Sequence, residues 1–425
     1  MIGALGLSLL GLMALSIPVG AVLFLLAFGL DWLASPFPLT RGLGQLVWTS
    51  SNSATLMAIP FFVLLGEVLV RSGVAARTYA ALDAWASWLP GGLIHANIGT
   101  ATVFSATSGS SVATAATVAT VAMPQAERLG YDPRLFAGSI AAGGTLGIMI
   151  PPSINLIVYG FLTQTSIPRL FLAGLVPGLL LALAFSAMVA LLCLWRPALG
   201  GERRRFSWGH RARALLDLGP IALLLGTVVG SIYAGWATPT EAAAVGVAGA
   251  FAVAALFGRV NGAMLAESLR GTVRITSMIM LVVIGAAFLN FALSSAGIGR
   301  ALQAMLDGLG TGPLGTLLVI VALYLVLGFF IETLSLMVVT IPIVVPLVTA
   351  LGYDPVWFGI LLILLVEMAL ITPPVGLNLF VVQGARRGGS LAEVMVGAAP
   401  FVGVMLLMAG ALIAVPGLAL WLPGK

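Results

Sequence analysis

A short pattern of residues occurs twice in this chain, and the two copies are separated by a constant 222 residues. Each copy has a proline, the segment Leu-Gly-Tyr-Asp-Pro, a phenylalanine and a final proline pair: Pro124, 129–133, Phe136 and Pro151-Pro152, then Pro346, 351–355, Phe358 and Pro373-Pro374. Nine identities in fixed register predict two copies of one structural unit. Because each copy ends on prolines that interrupt a hydrophobic segment, the pattern marks two broken helices, which in membrane proteins point to a binding site.

The composition of the chain excludes a soluble globular fold. The mean hydropathy is +1.14, 60% of the residues are hydrophobic and 8% are charged. Several apolar runs reach the length of about 20 residues that a helix needs to cross a hydrocarbon core. We therefore predict an all-α polytopic membrane protein. The chain starts directly in apolar sequence without a basic segment, so no removable signal peptide is expected.

The chain has few residues for disulfide, metal or cofactor chemistry. Cys193 is the only cysteine, which excludes an internal disulfide. His95 and His210 are the only histidines, and two are too few to build a zinc or haem centre. No organic cofactor is expected.

The arginines indicate how the chain is oriented in the membrane. The densest basic segment, 196–213, is predicted to be cytoplasmic by the positive-inside rule. Arg128 and Arg134 flank the first Leu-Gly-Tyr-Asp-Pro loop and place it on the same side, whereas the second loop contains no cation. The two loops are therefore expected on opposite faces. This arrangement makes the repeats inverted and places the N-terminus outside.

Each repeat is predicted to contain five spans, one re-entrant hairpin and a helix broken at the proline pair. The predicted units are, in chain order, repeat one at 1–196, with hairpin 92–126 and broken helix 135–160; the basic cytoplasmic linker at 197–213; and repeat two at 214–425, with hairpin 313–350 and broken helix 356–385. The other spans are expected at 2–16, 18–34, 50–70, 169–195, 215–234, 238–258, 275–295 and 397–421.

The two re-entrant hairpins are predicted from the length of two apolar segments. The stretches 92–126 and 313–350 contain 35 and 38 residues. As single helices each would be longer than about 50 Å, against a hydrocarbon core of about 30 Å. Each must also start and end on one membrane face to keep the charge pattern. The less hydrophobic segments before them, 71–89 and 294–312, are expected to be amphipathic helices in the interface, with ordinary loops as the alternative.

Hydroxyl side chains are concentrated in the middle of the first hairpin. The stretch 105–120 has eight serines and threonines in 16 positions. Close packing of small residues between membrane helices explains part of this stretch, but not the tight group Ser108, Gly109, Ser110 and Ser111. Hydroxyls and free carbonyls at a turn between half-helices can coordinate a small hard cation, and the next helix N-terminus can face an anion. We therefore predict ion or substrate binding here.

The broken helix of the first repeat is the expected partner of this hairpin. Pro151 and Pro152 remove two backbone donors and leave carbonyl groups one turn earlier without helical partners, where a cation can bind. The alternative is a structural proline kink that is relieved by Ser153 or by water. The candidate binding residues of this segment are Gly144, Thr145, Pro151, Pro152, Ser153 and Asn155.

The second repeat offers corresponding candidates. Its hairpin tip is expected at 332–335, where Glu332, Thr333 and Ser335 supply oxygen atoms. Glu367 is a second carboxylate inside an apolar run. A carboxylate inside a membrane is by default a functional residue, such as a cation ligand, a proton carrier or a gating contact. For both glutamates the alternative is a fixed helix cap or an interhelical hydrogen bond. The broken segment contributes Thr372, Pro373, Pro374, Gly376 and Asn378.

Five segments carry a family resemblance through their order and spacing: Met57-Ala-Ile-Pro-Phe-Phe62, Ser108-Gly-Ser-Ser-Val-Ala-Thr-Ala-Ala-Thr117, Ala142-Gly-Gly-Thr-Leu-Gly-Ile148, Pro151-Pro-Ser153 and Thr372-Pro-Pro-Val-Gly-Leu-Asn-Leu-Phe380. Together they resemble the large membrane subunit of tripartite ATP-independent periplasmic (TRAP) transporters over nearly the whole chain. The resemblance implies a secondary active transporter of the bacterial inner membrane. It further implies an elevator mechanism, a sodium gradient as the driving force, and an organic acid, typically a carboxylate, as the substrate.

The same resemblance implies partners and ion sites. The partners are a small four-helix membrane subunit (Q type) and a soluble periplasmic binding protein (P type) that delivers the substrate. Sodium is implied where each hairpin tip meets the broken helix of its own repeat. The implied sodium-binding residues are Ser108, Ser110, Gly144 and Pro151 in the first repeat, and Thr333, Ser335, Thr372 and Gly376 in the second.

Rival functions stay open at this point. A stand-alone sodium-coupled carrier of di- or tricarboxylates would use similar hairpins and take its substrate directly from solution. An intramembrane hydrolase would need a base beside its serine nucleophile, and no histidine or lysine accompanies the serine cluster. A passive channel fits less well, because broken helices in inverted repeats favour alternating access. We therefore do not expect an enzyme.

Overall fold

The computed structural model describes residues 2–15, 17–35, 38–202, 204–297, 312–386 and 388–424, without the side chains of 2–5, 10, 14 and 105–108. These residues form helices, with one isolated β-bridge between Tyr131 and Gly200. The helices of the first half are α1 (Ile2–Ala14), α2 (Val19–Ala34), α3 (Thr40–Ser51), α4 (Ala58–Arg71), α5 (Val74–Ala86), α6 (Leu93–Ser108), α7 (Ser111–Arg128), α8 (Pro133–Met149), α9 (Ile154–Thr163) and α10 (Ile167–Trp195).

A short 3₁₀ helix, Pro197–Leu199, leads into the second half. The helices of the second half are α11 (Trp208–Tyr233), α12 (Pro239–Leu256), α13 (Gly262–Ser295), α14 (Gly312–Gly328), α15 (Thr333–Ala350), α16 (Pro355–Ala369), α17 (Leu377–Ala385), α18 (Leu391–Ala414) and α19 (Gly417–Leu420). Within the described part of the chain, six helices are long and apolar enough to cross a membrane. The number rises to eight if the bent pairs α4–α5 (69°) and α8–α9 (40°) each count as one span. The predicted all-α, multi-pass membrane architecture is confirmed.

The repeated Leu-Gly-Tyr-Asp-Pro motif forms the same turn between two helices in both halves. Gly130 and Gly352 have φ angles of +64° and +90°, the left-handed conformation that glycine adopts at a helix end. Asp132 and Asp354 then cap the next helix, because their carboxylates accept hydrogen bonds from two backbone N–H groups each, at 2.7–3.2 Å. The proline that follows occupies the first helical position, where it costs no hydrogen bond.

The helix boundaries also recur at the spacing of the sequence repeat. Helices α7 and α15 begin and end 222 residues apart, and so do the starts of α8 and α16. The Pro151-Pro152 and Pro373-Pro374 peptide bonds are both cis. The inverted relation between the two halves stays a prediction.

The halves differ before their hairpins. Helix α13 is continuous over 34 residues, where the first half has α3 and α4 with the segment 52–57 between them. The predicted span 275–295 is therefore too short, because the more polar residues before it are helical as well and are capped by Asn261, whose side chain accepts from the Met264 N–H at 2.8 Å. Of the two expected interfacial helices, the first corresponds to α5, and most of the second, 298–311, lies outside the described residues.

Helices α8 and α16 lie at the centre of the molecule. Every residue of α16 after its first proline is buried, as is every residue of α8 from Leu135 onward. Helices α6, α7 and α18 pack against α8, while α14, α15 and α10 pack against α16. At the crossing of α8 and α18, a Cβ atom at Gly138 would lie 2.1 Å from the carbonyl carbon of Gly397. The two backbones therefore touch, and only glycine fits. A second group forms where α2 and α4 pack against α13.

Candidate functional site

The first hairpin breaks between α6 and α7. Gly109 has a φ of +59°, and its backbone lies so close to α9 that a Cβ atom would be 3.1 Å from the Ile154 side chain. Ser110 caps α7 by accepting a hydrogen bond from the Ala113 N–H at 3.3 Å. Ser108 is the last residue of α6, and its side chain lies outside the described part of the structure. The break therefore places the N-terminus of α7 at the tip of the hairpin.

The second hairpin breaks between α14 and α15, and Glu332 caps α15. Its carboxylate accepts hydrogen bonds from the N–H groups of Leu334 and Ser335 at 3.1 and 3.0 Å, and from the Ser335 hydroxyl at 2.9 Å. The Glu332 side chain is exposed rather than buried among other residues. The contacts that Glu332 makes within the chain are therefore those of a helix cap.

A cavity of about 100 Å³ lies between the two breaks. Predicted residues from both repeats line it: Gly109, Ser110 and Ser111 from the first break, Asn155 from α9, and Glu332 and Thr333 from the second break. Apolar side chains complete the wall, among them Ile275, Met278 and Ile279 of α13. The cavity thus collects six residues that the sequence predicts to bind ligand.

Two buried polar atoms at this cavity have no partner within the described residues. They are the Nδ2 of Asn155 and the Oγ1 of Thr333, in side chains that are 4% and 3% exposed. Buried polar groups in folded proteins are almost always hydrogen-bonded, because leaving them unpaired costs about 1–3 kcal/mol each. An amide donor and a hydroxyl at this cavity are therefore free to bond to a polar ligand.

The two repeats are interlocked around this cavity. Helix α17 of the second repeat packs against α7 and α8 of the first, and α9 of the first packs against α15 of the second. Asn378 on α17 is fully buried, and its Nδ2 donates to the Ala141 carbonyl at 3.2 Å. The predicted sites combine each hairpin with the broken helix of its own repeat, whereas the structure brings Glu332 and Thr333 beside Asn155 of the other repeat.

Glu367 is a functional candidate that is not among the residues predicted to bind substrate or ions. It lies on α16, is fully buried, and its carboxyl group accepts a hydrogen bond from the Ser111 hydroxyl at the start of α7. Its second oxygen, Oε1, has no partner among the described residues. In the repeat, the position equivalent to Glu367 is Thr145. A carboxyl group therefore occupies this position in one repeat and not in the other. A comparison of the two repeats would have singled out Glu367 on this ground.

The remaining predicted residues are not among the described residues that line the cavity. Several make local contacts: the Thr145 hydroxyl donates to the Ala142 carbonyl at 2.7 Å, the Thr372 hydroxyl donates to the Met368 carbonyl at 2.6 Å, and Ser153 caps α9. Pro151 and Pro152 are buried, whereas Pro373 and Pro374 are exposed; Gly376 has a φ of +57° at the start of α17.

Gly144 is the predicted residue with the tightest surroundings. A Cβ atom there would lie 2.9 Å from the Ser111 carbonyl oxygen, 3.0 Å from the Ala115 Cβ and 3.1 Å from the Asn378 Nδ2. Gly144→Ala should therefore push α7 away from α8 and destabilise the protein by about 1–3 kcal/mol. Thermal unfolding of the purified protein measures this. Gly384→Ala in α17 is the control, because no atom lies within 4 Å of its added Cβ; equal losses in both variants would contradict the prediction.

Comparisons with known proteins agree on one family. The family model of the tripartite ATP-independent periplasmic transporter DctM component matches residues 7–418. The C4-dicarboxylate TRAP transporter large permease protein DctM of Vibrio cholerae serotype O1 is 33% identical in an alignment that covers 95% of this chain and 97% of that protein. The isethionate TRAP transporter permease protein DctMQ of Oleidesulfovibrio alaskensis is 32% identical over 97% of this chain and 65% of its own length.

A solved structure shows the same fold. The YdaH transporter of Alcanivorax borkumensis superposes with a TM-score of 0.61 at 16% identity, covering 96% of this chain and 98% of that one. The relatives are permease subunits, so the expectation that the chain is not an enzyme is confirmed, and the hydrolase alternative is excluded. The chain belongs to the DctM family of TRAP transporters, as the large permease subunit of a secondary transporter and a multi-pass protein of the bacterial inner membrane.

Proposed function

We propose that this subunit carries out sodium-coupled uptake of an organic acid, with the substrate bound at the cavity between the two hairpin breaks. The observation that carries the proposal is the meeting of both breaks at one cavity with the unpartnered polar atoms of Asn155 and Thr333. Helices α7 and α15 both begin at this cavity, at Ser111 and Thr333. The positive ends of two helix dipoles thus favour an anionic group there.

Sodium coupling is supported by the charges around the cavity. No lysine or arginine is among its described lining residues, and Glu332 adds a carboxylate. A carboxylate substrate next to Glu332 is repelled unless a cation binds with it. We therefore propose that co-bound sodium completes the site. Its ligands would come from the two hairpin breaks and from the two broken helices: Ser108, Ser110, Gly144, Pro151, Thr333, Ser335, Thr372 and Gly376.

An elevator movement is the transport step that we propose. The interlocked helices around α8 and α16 would move as one body with the substrate, and the helices packed on α13 would form the stationary scaffold. The cavity lies where these two groups meet, since one of its walls consists of α13 side chains. The inverted arrangement of the two repeats would make the outward and inward positions of the body equivalent.

The proposed partners are a small membrane subunit of the Q type and a periplasmic binding protein of the P type that delivers the substrate. The DctMQ relative extends well beyond the 65% of its length that this chain matches. The substrate is not set by family membership, because the two relatives described above are named for a C4-dicarboxylate and for isethionate. We propose an organic acid of this general kind.

Uptake into proteoliposomes tests the proposal. The purified chain is reconstituted with its small membrane subunit, and C4-dicarboxylate uptake is measured with the binding protein outside and an inward sodium gradient. Replacing the sodium gradient with an equal potassium gradient should abolish accumulation of the substrate. Accumulation that does not depend on sodium would overturn the coupling. Equal uptake without the binding protein would favour the stand-alone carrier instead.

A further inference from the structure

An apolar groove runs along the surface between α11 and α12. Its volume is about 510 Å³, within the range of about 300–1,000 Å³ that is typical of small-molecule sites. Its walls include Pro220, Leu223 and Thr227 of α11, and Gly246, Gly249 and Ala252 of α12. The groove therefore suits a narrow apolar chain.

An arginine side chain, that of Arg77, lies at one end of this groove. The groove ends at Leu256, the last residue of α12, and the neighbouring Phe257 ring lies 4.3 Å below the Arg77 guanidinium. Arg77 also forms an ion pair with Asp217 of α11 at 3.1 Å. Arg77 therefore links α11 to the end of α12 at the mouth of the groove. Its side chain is still 51% exposed.

A second arginine continues the stripe of α11 that forms the groove. Helical residues seven positions apart lie on nearly the same face, so Arg213 and Leu216 precede Pro220 and Leu223 on one stripe. Arg213 is exposed and has no hydrogen bond or ion pair within the described residues. Leu216, between Arg213 and the groove, is 77% exposed. An arginine side chain without an ion-pair partner among the described residues therefore lies next to an exposed apolar surface on α11.

The aromatic residues nearby indicate the depth of this end in the membrane. Trp208, the first residue of α11, is 73% exposed, and the Arg211 guanidinium lies 5.2 Å from its ring centroid. Trp85 of α5 packs edge-on against Trp208 and donates its indole N–H to the Arg211 carbonyl at 3.1 Å. Tryptophan and arginine side chains prefer the headgroup layer of a bilayer.

We propose that the groove and the arginines at its mouth bind an anionic phospholipid. One acyl chain lies between α11 and α12, and the phosphate-bearing headgroup contacts Arg77 and Arg213. Charge complementarity favours this occupant over a membrane helix of another protein, because two arginines and one aspartate leave a net positive charge directly beside the apolar groove. Basic pockets at the membrane surface between helices are typical sites for anionic headgroups.

Native mass spectrometry of the full-length protein in equimolar phosphatidylglycerol and phosphatidylcholine tests the proposal. The wild type should retain phosphatidylglycerol preferentially, and Arg213→Gln should lower that preference about fivefold, the effect of one arginine near an anionic surface. Ala252→Phe should displace the lipid by filling the groove. The controls are Arg196→Gln and Leu407→Phe, which change exposed residues elsewhere and should leave retention unchanged.

The alternatives give distinct results. Inorganic phosphate at the same concentration should not displace the lipid, and displacement would assign the site to free phosphate instead. Equal retention of both lipids, or an unchanged preference in Arg213→Gln, would overturn the proposal even if Ala252→Phe fails to fold. A photo-crosslinker at position 252 that attaches to a co-expressed membrane protein rather than to phospholipid would overturn it as well. None of these measurements depends on transport.

Discussion

Replacing Glu367 with leucine is expected to lower substrate uptake by about 5- to 150-fold. The leucine leaves the buried Ser111 hydroxyl without its acceptor, which costs about 1–3 kcal/mol. Ser111 is the first residue of α7 and lines the cavity, so its bond to α16 holds the start of α7 in place. Loss of this bond should change the position of the hairpin tip at α7 in the substrate-bound protein more than it changes the overall fold. Initial uptake rates in proteoliposomes, normalised to folded protein, measure the effect.

Two variants separate the role of the Glu367 hydrogen bond from a general effect of charge. Glu367→Gln keeps the shape of the side chain and an oxygen acceptor for Ser111, so it should lose less activity than the leucine variant. Glu127→Gln removes an exposed carboxylate from α7 and should have no effect. Wild-type uptake in Glu367→Leu would show that the contact between the two repeats is dispensable.

Adding a side chain at the crossing of α8 and α18 is expected to cause the largest loss of stability. A Cβ atom at Gly138 would lie 2.1 Å from the Gly397 carbonyl carbon, and one at Gly397 would lie 1.8 Å from the Arg134 carbonyl oxygen. Because both obstacles are backbone atoms, no rotamer change relieves the overlap and the helices must separate. Gly138→Ala and Gly397→Ala should each cost about 3 kcal/mol, the upper end of overpacking effects.

Helix α18 supplies the matched control for this prediction. Gly403 and Gly410 lie on the same helix as Gly397, but no atom lies within 4 Å of a Cβ added at either position. Alanine there should be neutral or raise the stability by up to about 1 kcal/mol, because alanine favours helix more than glycine does. The unfolding temperature should therefore fall in Gly397→Ala and stay unchanged or rise in Gly403→Ala and Gly410→Ala, which thermal unfolding of the purified variants measures. Parallel shifts would contradict the inferred backbone contact.

The repeat predicts two copies of one unit, and the local structure of the motif is the same in both. The turns at Gly130 and Gly352 and the caps at Asp132 and Asp354 were not predicted, although they depend only on neighbouring residues. The helix breaks at the serine cluster and before Thr333 are also local, because glycine and capping side chains end and start helices where they stand. The resemblance to TRAP permeases is confirmed by the family match over residues 7–418.

Local patterns did not predict which residues meet across the molecule. Six candidates from both repeats line one cavity, whereas the pairing predicted for the ion sites joins each break only to the broken helix of its own repeat. The extent of α13 was also missed, because a polar helical segment gives no hydrophobic signal of its own. Glu332 was expected inside an apolar environment, and its exposed capping role depends on how the tip is placed.

The membrane class, the duplication, the helix breaks and the family can be read from the order of the amino acids, because hydropathy, glycine conformation, capping and residue spacing act over short segments of chain. The bond between Ser111 and Glu367, the contact of Gly138 with Gly397 and the cavity shared by the two breaks appear only in the folded protein. These contacts join residues more than 200 positions apart. They arise from the packing of whole helices, whose rotation and crossing no local pattern specifies.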